Sequence, residues 1–253
     1  MDLNKAIESI QKQIKDYIGD KLAVVGLSGG IDSSVVAYLC VNALGKNKVL
    51  GVSMPYNVQS TEEARLVVER LGIRYLRNNI EFIVNSLKHE YNETFKRDLD
   101  KLTFGNMMAR TRMMILYMYA NENNGFVVGT TNKTEAAIGY YTKFGDGAVD
   151  IEPIADLYKT EIYEVAKTLG VPEQIINQAP SAGLWPDQTD EKELGISYKD
   201  LDAILIDLDN WSPDGIDENK YGKEKIQKVL DLEENSKHKK EMPPIFRVRV
   251  TIT

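Results

Sequence analysis

The 253-residue sequence has a single cysteine, no long apolar run and no excess of positive charge. One cysteine, Cys40, cannot form a disulfide within the chain, and its apolar helical surroundings predict a buried, inert thiol in a reducing compartment. No stretch of about 18 apolar residues could cross a membrane, and the first residues lack the apolar core of a secretion signal. We therefore expect a cytoplasmic protein with no membrane partner. The net charge of -7 argues against a nucleic-acid partner, since a phosphate backbone needs a concentrated Lys/Arg surface.

Length and composition fit one soluble α/β domain with a helical appendage. Hydrophobic residues make up 43% of the chain and charged residues 27%, which is ordinary for a globular protein with a full core. Apolar residues at helical spacing predict a lead-in helix over 3–18. Strands are predicted at 22–27, 48–54, 73–77 and 126–129, and further helices at 31–44, 60–71, 79–96, 105–123, 158–169, 197–209 and 218–236. Alternating strands and helices indicate a parallel sheet, whose ligands bind at the carboxyl ends of the strands.

The most distinctive motif is Ser28-Gly-Gly-Ile-Asp-Ser33, which follows a predicted buried strand and opens a helix. Two adjacent glycines let backbone N–H groups approach an anion, and the helix directs its positive end to the same point. Asp32 would repel a phosphate unless a divalent cation lay between them, so the motif predicts a cradle for Mg²⁺ and pyrophosphate. Neither a Walker A motif nor a full Gly-x-Gly-x-x-Gly is present. The alternative is an ordinary strand-to-helix connection.

A second polar junction, Thr130 to Glu135, follows the predicted strand 126–129. If both strand ends face one crevice, Asp32 and Glu135 can share a Mg²⁺ ion that bridges nucleotide phosphates. Taken alone, Glu135 would be interpreted as a solvated helix residue. Lys159 opens a later helix, where a cation opposes the helix dipole, so we expect an anion such as phosphate beside it.

Three other segments carry charge that function or structure could explain. The loop 142–150 combines Lys143 with acidic residues and glycines, which indicates either a functional loop or a plain tight turn. Arg110 and Arg112 point in different directions on one helix, so one can face a ligand while the other contacts protein. The basic stretch 237–240 closes the last helix, where the dipole favours cations in any case.

Together these motifs resemble the NAD synthetases, members of the ATP-pyrophosphatase group marked by Ser-Gly-Gly-x-Asp-Ser. The resemblance extends throughout the chain and rests on residues 28–33, 105–106, 109–113, 129–130, 135, 142–147, 150, 159, 179–182 and 238–239. It implies one domain over 1–253, without a glutaminase domain, in the adenine nucleotide alpha hydrolase-like fold. That fold has a five-stranded parallel sheet with helices on both faces. Extra helices would form a homodimer with substrate sites at the subunit interface.

The resemblance also implies site residues by position. Residues that would bind ATP are Gly26, Leu27, Ser28, Gly29, Gly30, Ile31, Asp32, Ser33, Thr130, Lys159 and Ser181. Residues that would bind deamido-NAD (nicotinic acid adenine dinucleotide) are Arg110, Lys143, Asp150, His238 and Lys239. Asp32 and Glu135 would bind Mg²⁺, and Asp32, Lys159 and Ser28 would act in catalysis.

The implied reaction is the ATP-dependent amidation of deamido-NAD, the last step of NAD biosynthesis. The substrate carboxylate would attack the ATP α-phosphate, and ammonia would then displace AMP from the acyl-adenylate. We expect no protein nucleophile and, because a glutaminase would need its own domain and cysteine, the use of free ammonia.

Three alternatives share part of this pattern. A transfer-RNA thiolase or a lysidine synthetase has the same glycine motif, but would need reactive cysteines or basic RNA-binding extensions. A non-catalytic nucleotide sensor would need the cradle but not Lys143, Asp150 or the basic end at 237–240.

Residues 181–195 form an acidic segment that we interpret as a lid over the site.

Overall fold

A parallel sheet with helices on both faces organises the protein in a computed structural model that describes residues 2–57, 59–181, 183, 185, 188–210, 216–246 and 248. Its strands are β1 (Leu22–Gly26), β2 (Val49–Ser53), β3 (Arg74–Arg77) and β4 (Gly125–Val128). The order across the sheet is β3-β2-β1-β4, and each neighbouring pair is parallel. This topology brings the ends of β1 and β4 side by side.

The helices cover both faces of the sheet and continue into a separate cluster after β4. A short 3₁₀ turn, Lys46–Lys48, precedes β2. The helices are α1 (Leu3–Ile18), α2 (Ile31–Leu44), α3 (Glu62–Leu71), α4 (Glu81–Phe95), α5 (Lys101–Glu122), α6 (Lys133–Ile138), α7 (Lys159–Leu169), α8 (Glu173–Ile176), α9 (Asp190–Leu194), α10 (Tyr198–Asp209), α11 (Glu218–Tyr221) and α12 (Lys223–Lys240). Within the described ranges, no helix combines the length and apolar character that crossing a bilayer requires.

The core has one layer on each side of the sheet, because consecutive strand residues face opposite ways. Ala23 and Val25 of β1 pack with α1, α2 and α7, whereas Val24 packs with the layer that includes α5. Helix α2 is buried along most of its length, which places Cys40 fully inside the first layer. Burial raises the pKa of the Cys40 thiol to about 12, which favours an unreactive residue. A third apolar cluster joins α6, α10 and α12 and corresponds to the helical appendage.

The expectation of a five-stranded sheet is wrong for the described residues, which form four strands. After the 142–150 loop the chain runs beside β4 only briefly. Asp150 N–H donates to Val127 O, Gly129 N–H donates to Ile151 O, and Ile151 forms a single parallel bridge with Val128. Pro153 then enters a turn, and because proline has no N–H to continue the ladder, a fifth strand does not develop.

Among the helix boundaries that differ from the sequence-based expectation, two have a clear local cause. Helix α5 begins at Lys101 rather than 105, because the Asp100 side chain accepts a hydrogen bond from Thr103 N–H and caps the helix four residues earlier. The helix predicted at 218–236 is divided into α11 and α12 at Gly222, whose φ of 83° is outside the helical range.

Candidate active site

The glycine turn joins the end of β1 to the start of α2. Gly29 has a φ of +92°, and a Cβ there would lie 3.0 Å from the Glu63 Cβ, so both conformation and space favour glycine. Ser28 Oγ accepts a hydrogen bond from Gly30 N–H at 3.1 Å. Gly30 is the N-cap of α2 and offers no side chain to cap its first N–H groups. The turn therefore presents the positive end of α2 in the way that an anion requires.

The residues of this turn contribute in different ways. The side chains of Leu27 and Ile31 are buried in the core, so they can offer a ligand only backbone groups. Ser33 is also buried, and its hydroxyl donates to Gly30 O and lies 3.1 Å from Ser28 Oγ. The two serines therefore fix the shape of the turn, and Asp32 points away from it toward the second strand end.

Two carboxylates and one ammonium group meet where β1 and β4 end. Lys159 Nζ lies 2.6 Å from Asp32 Oδ2 and 3.5 Å from Glu135 Oε1. The Lys159 side chain is only 2% exposed, and those of Asp32 and Glu135 are 17% and 15% exposed. The two acids thus reach the same cation, the arrangement expected from neighbouring parallel strands. The anion expected beside Lys159 was a phosphate, but in the structure these two carboxylates take that position.

Burial and charge set the protonation of this triad. Burial alone would lower the pKa of Lys159, but the charges of Asp32 and Glu135 outweigh it, so the pKa is raised and the ammonium persists. Burial also raises the pKa of Glu135, and the opposing charge of Lys159 offsets part of this rise. Lys159 and Asp32 form the close ion pair at 2.6 Å, and Glu135 lies farther from the ammonium, at 3.5 Å.

Helix α10 holds the ends of α6 and α7 together through Asp202, which is 1% exposed. Its Oδ1 accepts from Thr134 Oγ1 at 2.6 Å and its Oδ2 from Thr160 N–H at 2.7 Å. Thr134 Oγ1 in turn accepts from Lys159 N–H at 2.9 Å. Asp202 thereby places the first residue of α7 beside the carboxylates. This residue was not predicted from the sequence, although its spacing was a signal: Asp202 lies four residues after Tyr198 and three before Leu205, on the apolar face of the helix.

Aromatic and acidic side chains enclose the triad on the side of α9 and α10. The Tyr198 ring centre lies 5.2 Å from Lys159 Nζ, a cation–π distance. Tyr198 Oη donates to Asp190 Oδ2 at 2.9 Å, and Tyr140 Oη donates to Asp190 Oδ1 at 3.2 Å. This wall limits access of water to Lys159 and strengthens its electrostatic interactions.

Four of the five residues expected to bind deamido-NAD lie together. Arg110 Nη2 donates to Lys143 O at 3.2 Å, and Lys143 Nζ donates to the backbone oxygen of His238. Lys239 Nζ donates to Gly139 O at 2.6 Å and to Tyr141 O at 2.9 Å. The basic end of α12 is thus fastened to the 139–147 loop, with Arg110 and His238 exposed beside it.

The fifth residue, Asp150, has other partners: its Oδ2 accepts from Val127 N–H at 2.7 Å and its Oδ1 lies 3.5 Å from Tyr117 Oη. The two arginines of α5 separate as the sequence predicts. Arg112 Nε donates to Met54 O at 3.0 Å inside the protein, whereas Arg110 is exposed.

The remaining predicted positions are Thr130 and Ser181. Thr130 lies two residues beyond the end of β4, and Ser181 Oγ accepts from Gly183 N–H at 3.1 Å. Residues 182, 184, 186 and 187 of the expected lid lie outside the described residues, so the lid remains a prediction. A residue that the sequence analysis missed, Glu152, accepts from Thr131 N–H at 3.2 Å. Burial raises its pKa to about 7.

The donor set at the triad fits Mg²⁺. This ion prefers oxygen ligands and is commonly held by one or two carboxylates together with water and substrate phosphates. Asp32 and Glu135 supply two carboxylates that already converge on one cation. In the part of the chain that the structure describes, no group of three or more His, Cys, Asp or Glu side chains could hold a metal ion. Water and nucleotide phosphates would complete the coordination of an ion held by these two carboxylates.

Comparison with known proteins gives one consistent result. A family model described as NAD synthase matches residues 3–243. The NH(3)-dependent NAD(+) synthetase of Pyrococcus horikoshii is 47% identical over 258 residues, with 96% of this chain and 94% of the relative covered. That of Methanocaldococcus jannaschii is 47% identical over 253 residues, with 95% and 97% covered.

Solved structures agree with the sequence relatives. The NH3-dependent NAD synthetase from Campylobacter jejuni is 30% identical with a TM-score of 0.81, and 98% of this chain and 100% of that chain are covered. The NMN synthetase from Francisella tularensis is 31% identical with a TM-score of 0.83, and 97% and 98% are covered.

Proposed function

Because the chain belongs to the NAD synthase family, we propose that it is an ammonia-dependent NAD synthetase, a ligase that uses ATP to join ammonia to the carboxylate of deamido-NAD. The observation that carries the proposal is the meeting of Asp32, Glu135 and Lys159 beside the glycine turn. It puts a cation and two metal-binding groups next to a helix end suited to phosphate. NAD biosynthesis would end with this step.

The ATP side of the reaction uses charge rather than covalent catalysis. The N–H groups of the 28–33 turn and the Lys159 ammonium would stabilise negative charge on the phosphates. When bound, Mg²⁺ would be held by Asp32 and Glu135 and would offset phosphate charge next to these acids. Lys159 already has anionic partners in the ligand-free protein, and a phosphate oxygen offers it a further one.

The chemical steps need no protein nucleophile. An oxygen of the substrate carboxylate attacks the α-phosphorus, the bond from that phosphorus to the bridging oxygen breaks, and pyrophosphate leaves. Ammonia then attacks the acyl carbon of the adenylate and loses a proton to solvent. The bond between the acyl carbon and the adenylate oxygen breaks, and AMP departs with that oxygen. The structural contribution is positioning and electrostatic stabilisation.

We place the deamido-NAD site at the cluster of Arg110, Lys143, His238 and Lys239. Asp150 belongs to the same 142–150 loop as Lys143. The exposed edge formed by Arg110 and His238 offers hydrogen-bond donors to a dinucleotide's phosphates.

We further propose a homodimer. Large apolar side chains are exposed on α4 and α5, and such surfaces are typical of subunit contacts: Phe82, Leu87, Leu102, Met114 and Met118.

A mononucleotide substrate is the second candidate, since one structural relative is described as an NMN synthetase. That relative is 31% identical to this chain, whereas the curated NH(3)-dependent NAD(+) synthetases reach 47%. The higher identity favours the dinucleotide. Direct competition between deamido-NAD and nicotinic acid mononucleotide, followed by product quantification, would decide between them.

The function is tested by incubating purified protein with Mg-ATP, deamido-NAD and ammonium. We expect AMP, pyrophosphate and NAD in equal amounts, and loss of all three with Asp32→Ala because the phosphate cluster loses a metal ligand. Thermal stabilisation by ATP without pyrophosphate release would instead support the nucleotide sensor. Product formation by glutamine but not by ammonium would contradict the proposed nitrogen source.

A further inference from the structure

Asn132 hydrogen-bonds to both site carboxylates, as Lys159 also does. Its side-chain Nδ2 donates to Asp32 Oδ1 at 2.9 Å, and its backbone N–H donates to Glu135 Oε2 at 3.1 Å. Its side-chain Oδ1 accepts from Glu135 N–H at 2.9 Å and so caps α6. Asn132 itself is fully buried.

These contacts fix the orientation of the amide group. If the amide were flipped, its oxygen would face the Asp32 carboxylate and its NH₂ would face the Glu135 N–H. Both contacts would then be repulsive. In the described orientation both the amide nitrogen and the amide oxygen of Asn132 have a hydrogen-bond partner, which favours it over the flipped one.

The consequence is that each carboxylate has one oxygen held by Asn132 and the other facing Lys159. Asp32 uses Oδ1 for Asn132 and Oδ2 for Lys159, and Glu135 uses Oε2 for Asn132 and Oε1 for Lys159. The orientation of both carboxyl groups is therefore restricted before any ligand binds. Residues that orient metal ligands in this way typically change metal affinity by 10- to 100-fold.

We propose that Asn132 is a positioning residue that aims the Asp32 and Glu135 carboxylates at one cation and thereby sets the affinity for the metal that accompanies ATP. The inference rests on the metal role given to these acids in the proposed function. It adds a residue that touches neither substrate nor ion and acts through two others.

Two substitutions separate positioning from helix capping. Asn132→Ser keeps an oxygen that can cap α6, since serine is a good N-cap, but it is too short to reach Asp32. Asn132→Ala removes both interactions. Asp100→Ala is a matched control, because it removes the N-cap of α5 without touching Asp32 or Glu135. The probe is Mn²⁺, titrated against each full-length protein in the presence of α,β-methylene-ATP and followed by electron paramagnetic resonance.

We expect Mn²⁺ binding to weaken by about tenfold in both Asn132 variants, while Asn132→Ser unfolds at a higher temperature than Asn132→Ala. Asp100→Ala should lower the unfolding temperature and leave Mn²⁺ binding unchanged. Wild-type affinity in Asn132→Ser, or equal weakening in Asp100→Ala, would overturn the inference while leaving the proposed function intact. A wild-type protein that binds no Mn²⁺ with the nucleotide would overturn the proposed metal role and the inference together.

Discussion

Replacing Lys159 with Met should destabilise the protein in a way that grows with pH. The substitution keeps the length and apolar stem of the side chain but removes the cation that faces Asp32 and Glu135 at 2.6 Å and 3.5 Å. At an effective dielectric constant of about 20, each contact supplies on the order of 5 kcal/mol before desolvation is subtracted. Removing one partner of a buried ion pair has a net effect of about 3–5 kcal/mol.

The pH dependence follows from the two acids left without a cation. In the variant, Glu135 loses the opposing charge of Lys159, so burial and the neighbouring Asp32 charge raise its folded-state pKa further, while in the unfolded chain it has its ordinary value. An acid with a raised folded pKa loses stability as pH rises from its unfolded value through its folded value. The deficit relative to wild type should therefore be smaller near pH 5 than above pH 8.

Urea unfolding at pH 5 and at pH 8.5, with EDTA present, measures this difference in stability. Lys167→Met is the matched control, since Lys167 pairs with Glu164 at 2.8 Å on the same helix but the side chains are 58% and 54% exposed. Such an exposed pair contributes less than about 1 kcal/mol. Adding Asp32→Asn to Lys159→Met should restore part of the loss at high pH. An equal loss at pH 5 and pH 8.5 would refute the electrostatic reasoning and indicate lost packing instead.

Three further changes test other parts of the structure. Glu152→Gln should stabilise the protein by up to about 3 kcal/mol at pH 8 in denaturation curves. The reason is that the folded-state pKa of Glu152 is about 7 against an ordinary value of 4.5. The gain should vanish below pH 4.5. Asp202→Ala should lower the free energy of unfolding by about 1–3 kcal/mol, because Thr134 and Thr160 lose their acceptor. It should also weaken ATP binding in calorimetric titrations. Unchanged ATP affinity would contradict the role of Asp202 in placing Lys159. Met118→Glu should convert a dimer into monomers in light scattering, and a wild-type monomer would exclude the proposed subunit contact.

Local patterns predicted the parts of the fold whose causes are local. Helix α1 and helix α2 lie where the sequence places them, at 3–18 and 31–44, because a hydrophobic periodicity and a glycine turn define them directly. The meeting of Asp32 and Glu135 also followed, since neighbouring parallel strands end at one edge. Sequence could therefore predict that these two carboxylates lie close together.

Long-range contacts could not be predicted in the same way. Asn132 and Asp32 are 100 positions apart, and Thr134 and Asp202 are 68 apart, so nothing in either local pattern selects one partner for the other. The number of strands in the sheet could not be predicted from local patterns either. Pairing beside β4 ends where Pro153 enters a turn, and only the tertiary arrangement shows that Ile151 makes one bridge before that point.

The most direct test of the account is a crystal structure with Mn²⁺ and α,β-methylene-ATP. We predict one ion bound by both Asp32 and Glu135 and by phosphate oxygens, with Lys159 Nζ within hydrogen-bonding distance of a phosphate. An ion that contacts neither carboxylate, with Lys159 still paired to Asp32, would contradict the claim that the two strand ends form a single metal and nucleotide site.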